Sequence, residues 1–264
     1  MKVGIVGGGV MGEAILSRAL ASGAMVAADV TVAELVVERA ARLAAVHDVK
    51  TTANAHEALD SSDLVILAVK PQDLGSVRGS VPQSAVIVSI MAGVTIETIA
   101  RAFKHERIVR VMPNTPAAIG AGMSAWTATH AVDGAQREQV RGLLAAVGHE
   151  LYVVDEKKID MATALSGSGP AYVFLFIEAL IEGGVAVGLT RAQASELVIQ
   201  TVSGAARYAA EAGQSPADLR AAVTSPAGTT AAGLLALEEA AFRAAVINAV
   251  RAAHTRAVEL GQSK

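Results

Sequence analysis

The chain has 264 residues, 52% hydrophobic and 18% charged, which excludes a disordered polymer and allows one large domain or two modest ones with real cores. A formal net charge of −3, with no block of lysine and arginine, gives no electrostatic footprint for nucleic acid or an anionic membrane surface, so a small-molecule partner is expected. No cysteine is present, which removes disulfides, thiolate metal sites and cysteine nucleophiles together and permits a reducing, cytoplasmic setting.

Lys2 before an apolar run and the small residues at 21–24 resemble a secretion signal only superficially, because Glu13 and Arg18 interrupt the run. The same region reads instead as a strand at 3–6 and a helix over 14–20. A strand at 30–33, a helix over 35–45, and strands at 64–69 and 85–90 follow. These strands are apolar at consecutive positions, as expected when helices cover both faces of a parallel sheet. Further strands are expected at 108–112, 123–127 and 150–154, with a helix over 135–146 that stops at Gly148. The fold class is therefore α/β, a Rossmann-like doubly wound and mostly parallel sheet over residues 1–154.

Beyond residue 155 the strand pattern gives way to alanine-rich helical stretches at 159–165, 171–187, 191–212 and 230–260, so residues 155–264 are expected to form an all-helical domain. The most apolar of these stretches carries Glu178 and Glu182, four residues apart on one helical face. Lipid would penalise each carboxylate by about 2.5–3.5 kcal/mol, so this is a buried or interface helix and no membrane partner is expected.

Gly7, Gly9 and Gly12 form G-x-G-x-x-G directly after a strand and before a helix, the context in which this pattern holds a dinucleotide pyrophosphate. The whole loop, Gly7, Gly8, Gly9, Val10, Met11 and Gly12, is expected to contact the cofactor, with the helix N-terminus facing its phosphates. A carboxylate some 20 residues on commonly bonds the adenosine ribose. Glu34, at the end of the second strand, fits that role better than Asp29. It would repel a 2′-phosphate and favour NADH, although Arg39 and Arg42 on the next helix could reach a phosphate instead.

Ligands in open α/β sheets lie at the carboxyl ends of the strands. The end of the predicted strand at 64–69 delivers Ala68, Val69 and Lys70 before Pro71. The run from Ser89 through Met91, Ala92 and Gly93 is small enough to admit a flat nicotinamide ring. Two prolines flank Asn114 and Thr115 in a rigid turn. In the helical half, 165–172 reads LSGSGPAY, with Pro170 opening a helix and Ser166 and Ser168 as cap or cleft donors. Residues 224–230 read TSPAGTT and bring hydroxyls and free N–H groups to another helix start, a plausible carboxylate receptor.

Taken together, these segments resemble the pyrroline-5-carboxylate reductase family from Lys2 to about Leu260, with LSGSGPAY and TSPAGTT the most specific matches. The resemblance implies reduction of L-1-pyrroline-5-carboxylate to L-proline by NADPH or NADH, the last step of proline biosynthesis. It also implies a homodimer formed through the helical domain, in some members assembled into a decamer. On the cofactor side it adds Asn54, Ala68, Val69, Lys70, Met91, Ala92 and Gly93 to the loop. On the substrate side it implies Glu156, Ser166, Gly228, Thr229 and Thr230, with Thr230 hydrogen-bonding the ring nitrogen. Three departures bear on cofactor choice: Ala227 replaces the first glycine of the usual pair, Ala222 stands where some members have a cofactor-binding asparagine, and Glu34 is unusual for binders of NADPH.

Two other readings compete. A β-hydroxyacid dehydrogenase shares the two-part plan but uses a catalytic lysine in its helical domain, and here no lysine lies between Lys158 and Lys264. A non-catalytic dinucleotide sensor would share the fold without turnover. No histidine or carboxylate pair falls at ligand spacing beside a proposed cleft, so no metal is expected.

Overall fold

The computed structural model describes residues 1–262, which divide into two compact units: Met1–Pro170 together with the stretch from Ala252, and Ala171–Arg251. In the first unit, strands β1 (Val3–Val6), β2 (Val30–Ala33), β3 (Lys50–Thr52), β4 (Leu64–Leu67), β5 (Val86–Ser89), β6 (Ile108–Met112), β7 (Gly122–Ala128) and β8 (Gly148–Tyr152) form one sheet. Their order is β3-β2-β1-β4-β5-β6-β7-β8. All neighbours are parallel except β6 and β7, which is the mostly parallel, doubly wound arrangement read from the sequence.

Side chains alternate across this sheet, and in its central strands both faces are buried. Leu64 and Ile66 of β4 join a core with Val3 and Ile5, whereas Val65 and Leu67 face a second core with Ile87 and Ile99. Helices α1 (Val10–Ala21), α2 (Val37–His47), α3 (Ala55–Leu59), α4 (Ile96–Phe103) and α5 (Gly134–Val147) supply the covering layers. Leu43, fully buried, anchors α2, a burial worth about 1.5–3 kcal/mol. Asp133 and Gln136 close a reciprocal capping box at the start of α5. Helix α6 (Lys157–Ala162) and a π-helical turn at Thr163–Gly167 also belong to this unit.

The sequence pattern misses β3, a three-residue edge strand of polar residues that pairs with β2 through its backbone. It also merges two helices at 230–260. The chain instead forms α10 (Thr229–Glu239) and α11 (Phe242–Gln262), separated where Ala241 takes a left-handed φ of 54°.

The second unit contains α8 (Arg191–Glu211), α9 (Pro216–Ala222), α10, most of α7 (Gly169–Ala186) and the first part of α11. Pro170 sits in the first turn of α7, as its missing N–H favours. Among residues 171–251 only Ala194 is fully buried, while Phe174, Leu175, Leu197 and Ile199 are all exposed. By length and composition, the helical run Lys157–Ala186 is apolar enough to cross a membrane. The other helices of this unit carry uncovered apolar faces as well, as expected of a surface that packs on another protein chain.

Candidate active site

The carboxyl ends of β1, β2 and β4 meet where the strand order reverses, and a cavity of about 710 Å³ opens there. Gly7, Gly9, Val10, Glu34, Asn54, Ala68, Val69 and Lys70 all line it. This is the position at which open α/β sheets hold nucleotides, and eight residues singled out in the sequence converge on it.

The loop is shaped by close backbone approaches. Gly7 has a φ of 102°, outside the range comfortable for other residues, and a Cβ there would lie 2.7 Å from the carbonyl oxygen of Ala68. Gly12 packs against the Gly7 carbonyl, seating α1 on β1. A Cβ on Gly9 would meet no protein atom within 4 Å, so the cavity reaches the backbone at this point. Gly9 is the N-cap of α1, and the first helical bond runs from the Glu13 N–H to the Gly9 carbonyl at 2.9 Å. The N–H groups of Val10, Met11 and Gly12 are thereby left as the helix's unpaired donors, the arrangement that receives a pyrophosphate.

Glu34 is buried and tightly held. Its Oε2 accepts the Gly8 N–H at 2.9 Å and Arg39 Nη1 at 3.0 Å, and its Oε1 accepts the Val36 N–H at 2.8 Å. Burial alone would raise this carboxyl's pKa, but the bonds from Val36, Arg39 and Gly8 outweigh it and hold the group below the usual glutamate value. Three acceptor positions are taken, so Oε1 retains one free lone pair, in a residue that lines the cavity. Arg39 lines the cavity too, whereas Arg42 is drawn away to pair with Glu13 on α1.

Asn54 is exposed and caps α3 by accepting the His56 N–H at 3.1 Å, so its turn role and its place on the cavity wall coexist. Sequence reasoning missed Arg78 and Ser76 on the same wall. Ser76 ends the helical turn at Pro71–Ser76 that follows β4 and Arg78 lies two residues beyond it, and a search of the whole loop after that strand end would have reached them. Met91, Ala92 and Gly93 lie beyond β5; Met91 is buried in the core with its N–H donated to Ser89 Oγ at 3.4 Å, and Ala92 is the partly exposed residue of the three.

Of the residues expected on the substrate side, Ser166 belongs to the π-helical turn. Its hydroxyl donates to the Ala162 carbonyl at 3.0 Å, and its own carbonyl accepts Asn114 Nδ2 at 3.1 Å. Glu156 Oε1 accepts both Arg110 Nη1 and the Ile96 N–H, each at 2.8 Å. In the second unit, Gly228 is the N-cap of α10 and Thr229 and Thr230 are exposed in its first turn. The first helical bond there runs from the Ala232 N–H to Gly228, which leaves the N–H groups of Thr229, Thr230 and Ala231 without intrahelical partners. Ala227, just before the helix, has a φ of 57°, a conformation that favours glycine. Among the described residues, no group of three histidines or carboxylates could hold a metal ion.

Residues 156–260 match the family model for pyrroline-5-carboxylate reductase dimerisation, and residues 2–93 match that of the NADP oxidoreductase, coenzyme F420-dependent family. The sequence is 43% identical to a pyrroline-5-carboxylate reductase of a Synechocystis species, over 99% of each chain. The chain belongs to the pyrroline-5-carboxylate reductase family. The fold is similar to a pyrroline carboxylate reductase of Plasmodium falciparum crystallised with NADP bound, with a TM-score of 0.89 and 30% identity over 99% of this chain and 98% of that one. A reductase of the same family from Coxiella burnetii gives a TM-score of 0.87 and 36% identity, with 98% of both chains covered. Membership also explains the uncovered helical faces, because the matched dimerisation segment is the part of the chain that builds almost no core alone.

Proposed function

We propose that this protein reduces L-1-pyrroline-5-carboxylate to L-proline with a reduced nicotinamide dinucleotide. The observation that carries this reading is the convergence of the glycine loop, Glu34, Asn54 and the β4 strand end on one cavity, in a chain of this family. Residues 1–154 are assigned the dinucleotide and residues 155–264 dimerisation and the substrate. The protein works as a homodimer in the cytoplasm, the unit that some members of the family assemble into a decamer.

The cavity fits the cofactor: it is large, reaches bare backbone at Gly9, and presents three amide donors at the α1 N-terminus. Val10, Met11 and Gly12 hold the pyrophosphate through those amides. Ala68, Val69 and Lys70 flank the dinucleotide, and the backbone of Met91, Ala92 and Gly93 receives the nicotinamide ring. When bound, this cofactor supplies the hydride that adds to the imine carbon. The first-turn amides of Thr229 and Thr230, with the Gly228 backbone, hold the substrate carboxylate, and the positive helix end favours that charge. The Thr230 hydroxyl hydrogen-bonds the ring nitrogen, orienting it and supporting the proton it carries in the product. No strong base is needed, which accords with a helical half devoid of lysine between Lys158 and Lys264.

NADH is favoured over NADPH. The free lone pair of Glu34 Oε1 accepts a ribose hydroxyl, and its negative charge disfavours a 2′-phosphate at the same place. Arg39, paired to that carboxylate and on the cavity wall, offsets part of the repulsion, so NADPH remains usable. Steady-state reduction of the imine with each cofactor tests both statements. Turnover with NADH the better substrate is expected, whereas tight binding of either cofactor without turnover supports the sensor reading.

A further inference from the structure

Arg110 points into the core from the middle of β6, with only 2% of its side chain accessible to solvent. A buried guanidinium stays charged and demands partners. It has two: Nη1 meets Glu156 Oε1 at 2.8 Å, and Nη2 meets Asp160 Oδ1 at 2.6 Å. Glu156 precedes α6 and Asp160 lies within it, so the arginine fastens the start of that helix to the sheet. The same Glu156 oxygen accepts the Ile96 N–H, the first amide of α4. One guanidinium therefore ties together β6, the start of α4 and the helix that runs directly into the π-helical turn holding Ser166.

Helix α4 begins three residues after Gly93, whose left-handed φ of 69° ends the Met91–Ala92–Gly93 segment. A second clamp acts on the substrate-side turn. Asn114, beyond the end of β6, accepts the Met123 N–H at 2.8 Å through Oδ1 and donates through Nδ2 to the Ser166 carbonyl. Hydride transfer is sensitive to placement, and an error of about 1 Å in a reacting group can cost about 10²-fold in rate.

We propose that Arg110, with Glu156 and Asp160, is a positioning device for hydride transfer that locks the segment at 91–96, on the nicotinamide side, to the turn at Thr163–Gly167, on the substrate side. Glu156 thus acts through Arg110 and Ile96, not by gripping the substrate. This inference rests on the reading of 91–93 as the nicotinamide segment and of Ser166 as a substrate neighbour. Asp160 and Arg110 become functional residues that no local motif marks.

The test compares Glu156→Gln and Asp160→Asn, with Arg110→Lys as a third variant, in the full-length assembled protein. Both carboxylate changes keep the side-chain shape and an acceptor oxygen while removing the charge that Arg110 needs. Each is expected to lower kcat by about tenfold or more, to leave the cofactor Kd and the imine KM within about twofold, and to raise the primary deuterium isotope effect from 4-deuterated cofactor. A purely structural lesion lowers the active fraction without changing that isotope effect. Hydrogen exchange in the cofactor-free protein supplies a readout independent of turnover: in Asp160→Asn, exchange at 91–97 and at 163–168 should accelerate together. If Glu156→Gln raises the imine KM and Asp160→Asn changes nothing, Glu156 is a direct substrate contact and the proposal is overturned. It is equally overturned if all three variants melt earlier but keep kcat and the isotope effect. Wild-type protein that fails to reduce the imine, yet shows the coupled exchange, would sink the functional reading and leave the lock standing. Normal wild-type turnover with uncoupled exchange would do the reverse.

Discussion

Replacing Glu34 with serine perturbs stability and cofactor choice in ways the structure separates. The carboxylate accepts the Gly8 and Val36 N–H groups and the Arg39 guanidinium, and serine is too short to reproduce that set. Gly8 is buried, so its amide loses a charge-assisted bond with no water to replace it, a cost of about 1.5–3 kcal/mol. Val36 is exposed and its amide can be rehydrated, while the pair with half-exposed Arg39 contributes only about 0.2–1 kcal/mol. A loss of about 2–3 kcal/mol in unfolding free energy is expected from urea denaturation. For the cofactor, removing the carboxylate charge relieves its repulsion of a neighbouring 2′-phosphate, an effect on the order of 1 kcal/mol or more between close charges near a protein surface. The ratio of kcat/KM for NADPH to that for NADH should therefore rise several-fold or more, with the freed Arg39 adding to the gain. Unchanged selectivity in a variant that has lost the expected stability would refute the reasoning on Glu34 as the ribose reader.

Three further outcomes follow from particular residues. Thr230→Ala should lower kcat by about 10²-fold with near-normal cofactor affinity by fluorescence titration, since the bond to the ring nitrogen proposed for it would strengthen in the transition state; an unchanged kcat would exclude that role. Ala227→Gly should stabilise the protein by about 0.5–1 kcal/mol, since Ala227 holds a left-handed φ that costs an alanine more than a glycine; a drop in urea midpoint would contradict this. Acid should weaken the fold through Glu34 and Glu13. The pKa of Glu13 is lowered chiefly by its bond to Arg42, against a desolvation effect of opposite sign and with a further contribution from His47. Groups with depressed folded-state values stabilise fully above the unfolded value of about 4.3 and lose that contribution as pH falls through the folded values. Urea midpoints should fall below that point, and less steeply in Glu13→Gln; identical acid profiles would remove Glu13 from the account.

What the sequence disclosed follows from how local each signal is. β1, β2 and β6 have the limits read from the apolar runs, because strands buried on both faces are apolar at most positions, and neither Thr31 in β2 nor Arg110 in β6 interrupts the run enough to hide it. β3 was invisible for the opposite reason: Lys50, Thr51 and Thr52 sit at a sheet edge and pair by backbone, leaving no hydrophobic trace. The break at Ala240–Ala241 carries neither glycine nor proline, so a helix spanning it was the natural reading. Helix α9 did have a signal, Ser215 capping a helix that opens at Pro216, but it is short and lies between two stronger features. The glycine loop was legible because its function lies in consecutive backbone groups. The lock around Arg110 was not, since it joins a strand to carboxylates 46 and 50 residues further along the chain, and only the fold brings them within hydrogen-bonding distance.

The central claim is that this chain is a working imine reductase and not a dinucleotide-binding relative without turnover. The most direct measurement is the stoichiometry of L-proline formed against NADH oxidised when the purified, assembled protein is given L-1-pyrroline-5-carboxylate. One proline per cofactor oxidised, at a rate proportional to protein, is the predicted result. Saturable NADH binding with no proline formed from either NADH or NADPH would contradict it.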